Sequence, residues 1–325
     1  MKVIIAGGTG FLGRHVSEAL VSAGHSVLLL ARGAGPTLAA DGAGLLRADV
    51  TAGALPLGAM RGSDAIVNLI GIKGERGTQT FESVHVEATR HLIAAAEDLG
   101  IRRFIQISVV CSRPDPRSAY HDTKWRAEEL VRSSGLDWTI LKPGVIYGPG
   151  DDMVTHLVKM IRFAPVFPVV GRGDSFLQPV HAGDVAAAIV GALGTDRSIG
   201  KAYDIVGPDR LTLRTVVETV ARAVGLRLRV VGTPIPLQRA AVGLMNALFR
   251  HPLATPAQLQ MLIDGLYGDP APARAELGVE PRPFTVDEVR RLVGPIPSLF
   301  GVSLRRAGRG TPADLSPTRV DGHRA

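Results

Sequence analysis

The first 32 residues constrain this chain more than any other stretch: MKVIIAGGTGFLGRHVSEALVSAGHSVLLLAR. Val3 to Ala6 is an apolar run without alternation, the pattern of a strand buried on both faces. Gly7, Gly8, Gly10 and Gly13 follow, then apolar residues at helical spacing from Phe11 to about Ala23, and a second apolar run from Val27 to Ala31. A glycine cluster alone is a flexible turn. Set between two strands and opening a helix, it reads as a dinucleotide-binding fingerprint. Gly7 permits the turn off the strand, Gly10 lets bare backbone approach a diphosphate, and Gly13 lets the helix pack closely. Thr9, Phe11, Leu12 and Arg14 complete the loop and the first helical turn, whose free N–H groups and partial positive charge suit phosphate.

The end of the second strand discriminates between nicotinamide nucleotides. An acid there accepts from the ribose 2′-OH of NAD, whereas a cation suits the 2′-phosphate of NADP. Ala31 stands at the acid's position, Arg32 follows it, and Arg14 offers another positive charge. NADP(H) is the expected cofactor, with NAD(H) as the alternative.

A chain of 325 residues, 46% hydrophobic and 21% charged, can bury a full core as a main domain with a smaller lobe. Its formal charge of +7 comes from scattered cations and a basic end (Arg305, Arg306, Arg309, Arg319, Arg324), which argues against a nucleic-acid surface. Most basic residues are Arg, a bias typical of GC-rich bacterial genomes. Cys111 is the sole cysteine, so neither an intrachain disulfide nor a cysteine metal cluster is available, and no metal site is expected. With a strand at the start and no apolar run of about 18–20 residues, a cytoplasmic protein is expected.

Further on, Leu45 to Val50 reads as a third strand, Asp64 to Gly71 as a fourth, Phe81 to Leu99 as one long helix, and Phe104 to Ser108 as a fifth strand. Alternating strands and helices down to residue 150 predict a Rossmann-type, doubly wound parallel sheet. In Ser118-Ala119-Tyr120-His121-Asp122-Thr123-Lys124, a helix sets Tyr120 and Lys124 one turn apart on one face. A neighbouring ammonium lowers a phenol from ~10 toward neutrality and makes Tyr120 a proton donor or acceptor. Lys124 would also reach the nicotinamide ribose. Trp138 to Pro143 reads as a sixth strand.

Past residue 150 the pattern changes to short, proline-rich elements. The expected domains are 1–150 for the nucleotide, 151–304 as a small C-terminal α/β lobe with parts of 175–206 returning to the sheet, and 305–325 as a disordered tail. Asp184 is expected to cap or support a helix over Val185 to Leu193, with Gln178 and His181 facing the cleft and His181 structural. Pro236 to Phe249, flanked by Arg239 and Arg250, reads as a lobe or lid helix, or as a contact for a membrane or a respiratory complex. Monomer and homo-oligomer both remain open.

Several segments carry a family resemblance: GGTGFLGRHV, FESVHVEATRHLIAAA, RFIQIS, SAYHDTKWRAEELV, WTILKPGVIYG, FLQPVHAGDVAAAI, YDIVGPDRLTL and ATPAQLQML. Together they resemble the atypical short-chain dehydrogenases similar to the NADPH-holding accessory subunit of respiratory complex I. The resemblance implies a tightly held NADP(H). It implies Asp49, with Val50, beside the adenine, although Asp49 reads equally well as a turn cap. It implies Leu69-Ile70-Gly71 beneath the adenosine and ribose, and Pro143, Gly144 and Val145 at the nicotinamide carboxamide. Active relatives place a serine just after the fifth strand. That position falls on Val109 here, with Ser108 one residue early and Ser112 three late, and His85 stands where an Asn is common. Losing such a donor costs ~10²–10³ in rate. Two functions follow: an NADP(H)-dependent oxidoreductase or epimerase/dehydratase acting on a carbonyl, hydroxyl or quinone-like substrate, with Ser108 as stand-in donor, or a non-catalytic nucleotide-holding structural or sensor protein.

Overall fold

The computed structural model describes residues 1–33, 43–115, 117–163, 166–248 and 254–293. Most of the loop after Arg32, Phe249 and Arg250, and the expected tail at 305–325 lie outside them.

The centre is a seven-stranded sheet. Its strands are β1 (Lys2–Ala6), β2 (Ser26–Ala31), β3 (Ala43–Arg47), β4 (Ala65–Asn68), β5 (Arg103–Ile107), β6 (Asp137–Pro143) and β7 (Lys201–Ile205). All pair in parallel in the order β7-β6-β5-β4-β1-β2-β3. Val3 pairs with Val27 on one side and Ala65 on the other, so the chain reverses direction of travel at β1. Ligands bind such sheets in the crevice outside the strands' carboxyl ends at this switch point.

Four helices cover the sheet: α1 (Phe11–Ser22), α2 (Ala88–Leu99), α3 (Ala119–Arg132) and α4 (Ala182–Leu193). Strand alternation divides the core between the faces. Val3 and Ile5 join Leu20, Val27, Val185 and Ile189 on one side. Ile4 and Ala6 join Ile66, Leu92, Phe104, Val131 and Ile140 on the other. This double covering is why β1 reads as an unbroken apolar run. A third cluster gathers Tyr147, Phe167, Val169, Leu213, Val217 and Phe284, and reaches Phe81, Val109, Val110 and Tyr120. There Val166–Val170 pairs with Arg229–Thr233, and two further helices follow, α5 (Ile235–Leu248) and α6 (Pro256–Asp264).

Some element bounds differ from the sequence reading. The third strand stops at Arg47, because Asp49 accepts from Thr51 N at 3.0 Å and caps a single 3-10 turn. The long helix opens with a π-helical turn over Glu82–Glu87 before α2. Helix α4 is capped by His181, whose Nδ1 accepts from Gly183 N at 3.0 Å. Of the two roles expected of Asp184, cap or support, the cap falls to His181; the Asp184 carboxylate accepts from the Arg282 side chain and backbone N–H at 2.9 and 2.8 Å and ties the first turn of α4 to that segment. Gln178 donates its amide N–H to Gly207 O at 2.7 Å and accepts from Gly268 N at 3.0 Å.

Candidate nucleotide-binding and catalytic site

The glycine loop lies at the carboxyl end of β1. Gly7 has φ of +85°, which favours glycine, and a Cβ there would lie 3.2 Å from the Leu69 carbonyl carbon. A Cβ on Gly13 would lie 2.5 Å from Gly7 O, so this glycine lets the helix close onto its own loop. At Gly10 a Cβ would meet only Gly7 O, at 3.3 Å, and the outer side is open. Gly10 caps α1 without a side-chain hydrogen bond, and the first turn carries no acid. The N–H groups of the first turn are thereby left to an outside acceptor, as an anion site at a helix start requires. A dinucleotide diphosphate fits this cradle.

At the end of β2, Arg32 is exposed, and the β2–β3 register sets Arg47 beside Ala31. Arg47 Nε donates to Arg32 O at 3.2 Å. Two exposed guanidinium-bearing residues therefore stand together at the carboxyl end of β2. The sequence offers Arg32 and Arg14 but not Arg47, which only the strand pairing brings to Arg32. Arg14 approaches Gly150, whose added Cβ would sit 2.6 Å from its Nη2, and His15 Nε2 contacts Pro149 O at 3.1 Å. These contacts draw the segment after β6 toward the start of α1. Asp49 is exposed and spends Oδ1 on Thr51, while Val50 is buried and its carbonyl contacts His91 Nδ1 at 2.8 Å.

Leu69, Ile70 and Gly71 run directly beneath the glycine loop. Ile70 N donates to Asn68 Oδ1 at 3.1 Å, and Asn68 is fixed in turn by Thr89 and Gln106. Lys124 reaches this turn from α3: its Nζ donates to Ile70 O at 3.4 Å and Ile107 O at 3.3 Å, and a Cβ on Gly71 would sit 3.1 Å from it. Two motifs more than a hundred residues apart thus converge at the carboxyl edge of the sheet. Lys124 is 5% exposed, and burial lowers its ammonium from 10.5 to about 8, with Glu128 partly offsetting the loss.

Tyr120 does not titrate as the sequence suggests. Its ring meets Phe81 and His85 edge-on, with centroids at 5.8 and 5.5 Å. Desolvation raises the phenol to about 12, and no charge from Lys124 counteracts it. His85 is 1% exposed and lies against Phe81. Ile72 N donates to its Nε2 at 3.2 Å, so Nδ1 carries the proton and donates to Thr123 Oγ1 at 2.9 Å. Burial and Lys124 hold its pKa well below the usual range. His85 is a neutral strut between the turn at Ile72 and α3, a role the sequence signals only by its substitution for Asn.

Ser108 also departs from expectation. Its Oγ donates to Glu128 Oε1 at 2.5 Å, and Ser112 Oγ donates to the same oxygen. Glu128 is wholly buried, and its Oε2 meets Arg132 at 2.6 Å and Lys142 at 3.6 Å. The serine proton is committed to this ion-pair network. Val109, at the family's serine position, is part of the apolar wall around Tyr120. After β6, Gly144 N donates to Ile205 O at 3.0 Å, Pro143 O accepts from Val110 N, and Val145 O accepts from Val180 N. Those groups hold the framework in place.

Next to Tyr120, Asp115, His121 and Asp264 bring one ligand atom each within 4.8 Å of one another. Arg113 Nη2 already bridges Asp115 and Asp264, at 2.9 and 2.8 Å, and Arg117 Nε also holds Asp115. The carboxylates are therefore neutralised in place. A cavity of about 520 Å³ opens at the start of α3. Phe81, Val242, Pro256, Ala257 and Leu259 give it apolar walls, with Arg117 and Arg239 among the polar ones.

A family model described as NAD(P)H-binding matches residues 7–196, more than half of the sequence. The chain belongs to that NAD(P)H-binding family. Among curated relatives, the mitochondrial NADH dehydrogenase (ubiquinone) 1 alpha subcomplex subunit 9 of Arabidopsis thaliana is 31% identical over 245 residues, covering 73% of this chain and 61% of its own length. Ceramide reductase of Caulobacter vibrioides is 29% identical, with 75% and 77% covered, and 2-alkyl-3-oxoalkanoate reductase of Stenotrophomonas maltophilia is 29% identical, with 69% and 76% covered. The match spans less than two thirds of the length of the complex I relatives. In fold, the chain is similar to UDP-glucuronic acid 4-epimerase from Bacillus cereus, solved with UDP-glucuronic acid and NAD. The TM-score is 0.70 at 18% identity, covering 90% of this chain and 99% of that one. No helix among the described residues is long and apolar enough to cross a membrane.

Proposed function

We propose that this protein is an NADP(H)-dependent reductase of a ketone carried on an alkyl chain, working in the cytoplasm or at the inner membrane face. The observation that carries the reading is the convergence of the glycine loop, the 69–71 turn and buried Lys124 beside Tyr120. A nicotinamide nucleotide held there would supply hydride to a carbonyl carbon, or in reverse take it from the carbon of the matching alcohol.

The chain's own residues have separate tasks. Gly7, Thr9, Gly10, Phe11, Leu12 and Gly13 hold the diphosphate by main chain. Arg14, Arg32 and Arg47 favour a 2′-phosphate. Asp49 and Val50 border the adenine, and Leu69, Ile70 and Gly71 lie under the ribose. Lys124 binds the nicotinamide ribose, and the Pro143–Val145 segment borders the carboxamide. Tyr120, protonated throughout the physiological range at about 12, donates to the oxygen left when hydride reaches carbon. Ser108 acts through Glu128 by fixing the backbone after β5. The mostly apolar cavity walled by Phe81, whose ring meets Tyr120, suits an alkyl chain better than a nucleotide sugar, and two relatives are named as reductases of ceramide and of 2-alkyl-3-oxoalkanoate.

A second reading is a nucleotide-holding protein without turnover. It is favoured by one observation: Val109 replaces the serine hydroxyl while Ser108 is bound to Glu128. Oxidation of NADPH with a panel of long-chain 3-oxo lipids decides between the two. Turnover that disappears in Tyr120→Phe supports the reductase. NADPH binding with no turnover on any of the panel supports the second reading.

A further inference from the structure

Helix α5 has two unlike sides. Val242 is its only buried residue. Leu237, Leu244 and Leu248 are 60%, 62% and 69% exposed, and their spacing places them on one face. Single exposed leucines are ordinary, but a stripe of them on one helix marks a contact surface. The other side lines the cavity through Arg239 and Val242, and the same cavity reaches Phe81, whose ring meets Tyr120.

The charge pattern indicates what covers the stripe. From Leu226 to Ile263 the sequence contains no Asp or Glu, while Arg227, Arg229, Arg239, Arg250 and His251 fall within it. Arg227, Arg229 and Arg239 are exposed, as are Leu226, before the strand Arg229–Thr233 that leads into the helix, and Val231 on it. Exposed leucines on α5 and exposed Arg227 and Arg229 on the segment before it, in a stretch of sequence without acids, have the composition of an interfacial surface.

We propose that α5 and the segment before it dock on an anionic phospholipid bilayer, leucines among the acyl chains and Arg227 and Arg229 at the headgroups. The cavity then opens beside the bilayer, where an alkyl-chain ketone resides. That last point rests on the reductase reading, whereas the docking does not.

The test is sedimentation of the full chain with phosphatidylcholine vesicles, with and without phosphatidylglycerol, at low and high salt. Binding is expected to be at least about tenfold tighter with the anionic lipid and to weaken as salt rises. Leu237→Glu, Leu244→Glu and Leu248→Glu should each weaken it on the order of tenfold, while the thermal midpoint and NADPH fluorescence binding stay unchanged. No lipid-dependent sedimentation overturns the proposal, as does a triple variant that binds like the parent. A concentration-dependent dimer that the triple variant converts to monomer, with no vesicle binding, also overturns it by assigning the face to a second copy. Vesicle binding by a chain that fails to bind NADPH leaves this inference standing and removes the nucleotide reading.

Discussion

Replacing Lys124 with methionine isolates the cost of the buried ammonium. The side chain is 5% exposed, and its pKa falls from 10.5 to about 8 on folding. That difference makes the charged form unfavourable in the folded state by roughly 3 kcal/mol at neutral pH. The folded-state value is the lower one, so between about 8 and 10.5 the unfolded chain binds more protons than the folded chain. The unfolding free energy of the parent therefore rises through that window. From pH 7 to pH 10 the rise from this one group is roughly 2.5 kcal/mol. Lys124→Met lacks it. The raised phenol of Tyr120 acts above pH 10, is carried by both proteins, and drops out of the difference. Urea unfolding of nucleotide-free parent and variant at pH 7, 8.5 and 10 measures the gap. The variant's advantage should shrink by roughly 2.5 kcal/mol across the series. The lost bonds to Ile70 O and Ile107 O shift the whole curve without changing its slope. A gap independent of pH, or one that widens, would refute the burial argument.

Four other outcomes follow from the same geometry. Gly13→Val forces a Cβ against Gly7 O, so it should abolish NADPH binding and lower the thermal midpoint by several degrees, read by fluorescence titration and calorimetry. Arg32→Ala with Arg47→Ala should weaken NADPH roughly tenfold to a hundredfold and leave NADH nearly unchanged, since only one cofactor carries the 2′-phosphate. Tyr120→Phe should keep NADPH affinity and cost about 10²–10⁴ in kcat on any accepted ketone. Glu128→Gln leaves Lys142 beside a buried neutral amide while Arg132 keeps Glu129, so chemical denaturation should show a loss of about 2 kcal/mol.

What could be read in advance was local. The glycine loop, β1, β2 and the Tyr120–Lys124 spacing depend on residues adjacent in sequence or one helical turn apart, and their geometry follows from backbone rules alone. What could not be read depends on residues brought together by the sheet. The raised Tyr120 phenol comes from Phe81 and His85, which lie across a helix interface and remove water from it. Arg47 reaches Arg32 only through the β2–β3 register. Asp184 has the chemistry of a cap, but Arg282, nearly a hundred residues later, claims its carboxylate and leaves the cap to His181. The π-helical turn at Glu82–Glu87 has no periodicity signature, because its sequence repeats at ordinary helical spacing. Ser108 has the hydroxyl that catalysis needs, but it donates its hydrogen bond to Glu128 on the facing helix.

Calorimetric titration of the purified chain with NADPH and with NADH tests the central claim directly: bare main chain at Gly7–Gly13 grips a dinucleotide, and Arg32 and Arg47 select its phosphorylated form. One NADPH per chain, held at least tenfold more tightly than NADH, is the predicted result. No heat from either nucleotide would contradict the account.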